Sequence, residues 1–88
     1  MDSRSKSPYF ANMSDPVTID ATGLLCPLPV LKLRKRLKTI ENGELVLLLA
    51  DDPAAVVDVP HFCAESGHIL ISTTENTNHT GYLIEKNG

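Results

Sequence analysis

Hydrophobic and polar positions show no periodicity over residues 1–15, where Ser, Asn, Lys and Asp are mixed. Such a stretch cannot bury enough surface to offset its ordering entropy, so it is expected to be a disordered N-terminal tail, with Met13 an alternative to Met1 as the first residue. A pattern begins at Val17. Val17, Ile19 and Ala21 alternate with Thr18 and Asp20, the period of a strand with one buried face, and Gly23 closes it. Val30, Leu33, Leu37 and Ile40 then recur at spacings of three and four, predicting an amphipathic helix that starts at Pro27 and Pro29 and ends at Asn42-Gly43. Glu44 to Ala50 reads as a strand that is apolar on both faces and so belongs in the middle of a sheet.

Asp51-Asp52-Pro53 predicts a second helix, with Asp52 as its cap and Pro53 at its first position. Pro60 falls inside it, predicting a kink or a restart capped by Asp58 before the helix ends near Gly67. Ile69–Thr74 and Tyr82–Lys86 form a final hairpin, with Asn76, Asn78 and Gly81 as its turn residues. The order β-α-β-α-β-β, with right-handed crossovers, predicts a two-layer α/β sandwich: a four-stranded mixed sheet with both helices on one face. Residues 16–88 make up this one domain.

Composition narrows the functional classes. Eighty-eight residues hold one small core, and 42% apolar with 22% charged residues is ordinary globular usage. The longest apolar run, Leu45 to Ala50, is far short of the roughly 20 residues of a membrane-spanning helix. The opening residues lack the apolar segment of a secretory signal, so a cytoplasmic protein is expected. The net charge is −3, but Lys32, Arg34, Lys35, Arg36 and Lys38 crowd one helix, and without them the chain would carry −8. A basic face on an acidic body can steer an acidic partner.

Two cysteines are too few for a disulfide framework, and in a reducing compartment a thiol is more often chemical than structural. Cys26, in Gly23-Leu24-Leu25-Cys26-Pro27-Leu28-Pro29, stands where a strand ends and a proline-initiated helix begins. The free N–H groups and the dipole at a helix N-terminus favour a thiolate over a thiol, so Cys26 is the candidate catalytic residue, with an expected lowered pKa. Pro27 and Pro29 support it by fixing their own φ and by restricting Cys26 and Leu28 to extended geometry. The competing reading is a buried structural cysteine beside helix-starting prolines.

The run Gly-Leu-Leu-Cys-Pro-Leu-Pro-Val followed by a basic helix resembles the TusA/SirA/YedF family of small sulfur carriers. Asp51-Asp52-Pro53-Ala54, Asp58-Val59-Pro60-His61-Phe62-Cys63 and Gly67-His68 extend the likeness through the second helix, so that it covers roughly Val17 to Lys86. The resemblance implies a fold like the C-terminal domain of translation initiation factor three. It also implies a persulfide carrier whose Cys-Pro-x-Pro cysteine, here Cys26, takes sulfur from a cysteine desulfurase or rhodanese-like donor and relays it to an acceptor protein. Transfer-RNA thiolation, molybdenum cofactor assembly and sulfur oxidation are the pathways such carriers serve. No cofactor is implied.

On a helical wheel Leu31, and Leu28 if it continues the helix, fall within the basic arc, opposite the buried stripe. Leu28, Leu31, Lys32, Lys35 and Arg36 are therefore candidates for partner docking: an apolar spot with a cationic rim. The alternatives are that Leu31 packs under a loop and that the basic run is a solvated face. Direct nucleic-acid binding is not expected of an acidic chain without aromatics among its basic residues. Asp51 and Asp52 read chiefly as capping residues. Cys63 reads as core, although the resemblance leaves open an auxiliary thiol or a disulfide with Cys26, and His61, Cys63 and His68 match no closed zinc pattern, so no metal is expected. Two readings from other classes remain: a non-catalytic regulatory or interaction module on the same fold, and a thiol-redox protein using both cysteines.

Overall fold

A computed structural model describes residues 15–88. Apart from Asp15, the expected tail lies outside the described residues, as does the choice between Met1 and Met13. The chain runs β1 (Val17–Asp20), α1 (Leu28–Leu37), β2 (Leu45–Ala50), α2 (Ala55–Ser66), β3 (Ile69–Glu75) and β4 (Thr80–Glu85). The sheet order is β1-β2-β4-β3. β1 runs parallel to β2, with Val17 opposite Val46 and Asp20 opposite Leu49, and the other pairs are antiparallel. The expected mixed sheet and α/β sandwich are therefore present.

The apolar alternation decides which sheet face is covered. Ile19, Val46, Leu48, Ala50, Tyr82 and Ile84 point to one side, where Leu33 and Leu37 of α1 and Ala55, Val59, Phe62 and Cys63 of α2 close the core over them. Leu45, Leu47 and Leu49 alternate with these on β2 and are half-buried on the opposite face. β2 is apolar on both sides because it lies inside the sheet, as its pattern predicts.

Three features of the helices differ from the sequence reading. Helix α1 stops at Leu37, well short of Asn42, because the N–H and the hydroxyl of Thr39 both bond to the Arg36 carbonyl and tighten the last turn. Gly43, at φ +92°, is instead a turn into β2, its N–H bonded to the Lys86 carbonyl at 2.9 Å. Helix α2 starts at Ala55, two residues late, after a tight turn in which Asp52 bonds to the Ala54 N–H at 3.3 Å. It then runs unbroken through Pro60 with no restart at Asp58, and Gly67 ends it in the left-handed region at φ +84°.

The hairpin is longer than expected. Residues 76–79 form its turn, closed by the Asn76 N–H on the His79 carbonyl at 2.8 Å, and Gly81 lies within β4. A Cβ at Gly81 would meet Leu47 Cδ1 at 3.5 Å and Leu49 Cδ2 at 3.7 Å, ordinary van der Waals contact, so this glycine lies against the leucines of the open face.

Candidate functional site

Two parallel neighbouring strands end side by side, so the loops that follow β1 and β2 meet at one rim of the sheet. Ala21 extends the pairing, its N–H bonded to the Leu49 carbonyl at 2.8 Å. The next residues turn sharply: the Asp20 carboxylate takes the Thr22 N–H at 3.0 Å, and Gly23 sits at φ +82°, a backbone region open to glycine and strained for other residues.

The loop is then fastened to the start of α2 by three aspartates. Both Asp51 carboxylate oxygens accept the Gly23 N–H, at 3.0 and 3.1 Å. Asp52 Oδ2 accepts the Cys26 N–H. Asp58, in the first turn of α2, accepts the thiol hydrogen of Cys26 with an Sγ–Oδ2 distance of 2.9 Å. Cys26 is exposed and is followed by a cis peptide bond to Pro27. Pro27 caps α1 and Pro29 is buried in its first turn, where a missing donor costs little. Leu28 is not extended but is the first helical residue, its N–H bonded to the Leu25 carbonyl at 2.9 Å.

This geometry reverses the expected acidity of the thiol. The Asp58 hydrogen bond, then partial desolvation, then the Asp58 and Asp52 charges push the Cys26 pKa above the usual 9.0. A full negative charge in contact with the sulfur outweighs the half-charge of a helix end. Asp51, Asp52 and Asp58 are thus the site residues that the sequence reading treated as caps. The signal was present in their position after the strand neighbouring β1.

The docking candidates separate into groups. Leu28 and Leu31 are about half exposed, at 48% and 46%, and Leu25, Val56 and Val57 are more exposed still. Lys32, Lys35 and Arg36 line a groove of about 400 Å³ against Thr18, Ile19 and Asp20 of the edge strand, where Lys32 Nζ donates to the Asp20 carbonyl at 2.9 Å. Arg34 lies over the Phe62 ring at 5.6 Å and, with Lys38, borders a different groove. The five basic residues therefore form two surfaces rather than one rim.

Cys63 is buried in the core, and burial raises its pKa. His61 pairs with Glu65 on the surface, while His68 Nδ1 accepts the Asn87 N–H at 3.1 Å, so these two histidines have separate partners away from Cys63. No helix of the described residues is long and apolar enough to cross a membrane.

Fold and site together define a small two-layer α/β domain that offers one cysteine sulfur to its surroundings. The family model described as sulfurtransferase TusA matches residues 17–86, which span every strand and helix described above. The chain belongs to that family, whose members are sulfur carriers that work with partners in sulfur relay.

Proposed function

We propose that residues 16–88 form a cytoplasmic carrier domain that accepts persulfide sulfur on Cys26 from a cysteine desulfurase or rhodanese-like donor and hands it to an acceptor protein. Transfer-RNA thiolation, molybdenum cofactor assembly and sulfur oxidation are the pathways it would serve. The observation that carries this reading is an exposed thiol on a loop whose neighbouring N–H groups are tied down by Asp51 and Asp52. In the transfer step Cys26 Sγ attacks the outer sulfur of the donor persulfide and the donor's cysteine sulfur leaves, so a held, accessible sulfur is the main requirement. Pro27 and Pro29 support it by starting α1 directly behind the thiol. Leu28 and Leu31 supply apolar contact to the partner, while Lys32, Lys35 and Arg36 offer charge along the β1 groove.

The test is incubation of the reduced protein with a desulfurase and cysteine, or with a thiosulfate sulfurtransferase and thiosulfate, followed by intact mass. A gain of about 32 Da that a thiol reductant reverses and that Cys26→Ser abolishes is the expected result. A Cys26 that gains no sulfur and resists alkylating reagents would move the assignment to an interaction module.

A further inference from the structure

The resting thiol is held by a group that opposes its reactivity. Asp58 Oδ2 stands 2.9 Å from Sγ, and Asp52 adds a second carboxylate at the backbone of the same residue. The basic residues nearest in sequence do not offset these charges: Lys32 donates to the Asp20 carbonyl and faces the β1 groove, and Arg34 lies over Phe62. Exposed apolar side chains surround the same loop and helix start. Leu25 and Leu28 flank Cys26, while Val56 and Val57, at 56% and 70% exposure, lie in the first turn of α2 just before Asp58. A partner that covers these apolar groups also removes water from Asp58, and a carboxylate stripped of water requires a countercharge.

We propose that the sulfur-donating partner meets Cys26 with a cationic side chain, a lysine or arginine, which pairs with Asp58 and frees Sγ to react. This rests on the persulfide-carrier reading and adds the chemistry of the partner's contact. With Asp58 paired, its oxygen no longer anchors the thiol hydrogen. Sγ loses its proton as it bonds to the outer sulfur of the donor persulfide. The donor's S–S bond breaks, its cysteine sulfur leaves with the bonding electrons, and that thiolate takes up a proton. One thiol and one persulfide give one persulfide and one thiol, with no net oxidation. In the undocked carrier the thiol stays protonated and slow toward incidental electrophiles.

Charged labels test this on the full chain without knowledge of the donor. Labelling of Cys26 by a trimethylammonium-ethyl and by a sulfonato-ethyl methanethiosulfonate is followed by intact mass, with Cys26→Ser as the control for position. Each rate is divided by that of the same reagent with a short uncharged cysteine peptide. The wild type should favour the cationic label by about fivefold or more at low ionic strength, and by much less at about 0.5 M salt, where screening is strong. Asp58→Asn and Asp58→Ser should each cut that preference about threefold or more and speed alkylation by neutral iodoacetamide at pH 7. Two folded-state variants guard against loss of structure in one, and the wild-type arm needs neither.

A wild type that favours the anionic label, as approach governed by Lys32, Lys35 and Arg36 would give, overturns the proposal. So does a preference unchanged in both variants. Failure of the carrier reading appears separately, as a wild type that gains no sulfur from either donor system whatever its label preference.

Discussion

Replacing Asp52 by Ala removes both bonds that its carboxylate makes, one to the Cys26 N–H and one to the Ala54 N–H. A hydrogen bond to a charged acceptor contributes about 1.5–3 kcal/mol, and the bond to Ala54, at 3.3 Å, is the weaker of the two. Asp52 is only half-buried, so solvent screening brings the expected total to about 1–2 kcal/mol. With a urea slope of about 1 kcal/mol/M for a domain of this size, the unfolding midpoint should fall by about 1–2 M at unchanged slope.

The local effect is more specific than the global one. The Cys26 amide loses its acceptor, and its hydrogen exchange should rise about tenfold, the factor that corresponds to about 1.4 kcal/mol, while amides of β2 and β4 change only as global stability does. Asp52→Asn, which keeps one acceptor oxygen, should fall between the two. A midpoint shift below about 0.3 M together with unchanged Cys26 exchange would refute the view that Asp52 braces the loop.

Leu48→Ala, in the closed core at the centre of the sheet, should cost about 2–5 kcal/mol in urea unfolding, and a loss below about 1 kcal/mol would contradict the packing described. Leu31→Asp should leave stability within about 0.5 kcal/mol, since the side chain is half exposed, yet slow sulfur transfer from a protein donor; equal transfer rates would remove Leu31 from the docking surface. Burial and Lys86 hold His68 below the usual imidazole value of 6.5, which favours the neutral ring in the folded state. Its stabilising contribution is therefore present above pH 6.5 and lost as the pH falls through the lowered value, and His68→Gln should flatten that part of a stability–pH curve. Cys63→Ala should keep the mass gain at Cys26, because Cys63 is sealed in the core at 2% exposure; loss of the gain in a folded Cys63→Ala would favour a two-thiol mechanism.

The layers were legible because period and burial agree. Val17, Ile19 and Ala21 reveal a one-sided strand, Leu33 and Leu37 a buried helix stripe, and the apolar β2 a central position. Helix ends were less so, since Thr39 ends α1 through a side-chain bond that competes with an apparently good Asn-Gly stop. Gly81 reads as a turn residue in sequence, whereas it lies inside β4 against two leucines of the neighbouring strand. At the site, Cys26 and its prolines announce themselves locally. The acidity of the thiol was misread because it depends on Asp58, and nothing in the pattern around Cys26 reveals a carboxylate that the fold brings to the sulfur. The basic run divided for a similar reason: a wheel shows direction around α1, but only the positions of β1 and Phe62 decide what each cation faces.

The Cys26–Asp58 contact joins residues 32 positions apart, and this gives the thiol a history during synthesis. At about 5–20 residues per second, a ribosome adds Asp58 about two to six seconds after Cys26. Throughout that interval, and until β2 pairs with β1, the nascent thiol has neither its brace nor its carboxylate neighbours. The newborn chain therefore presents an ordinary cysteine, and the restrained one arises only when the second crossover closes on the first.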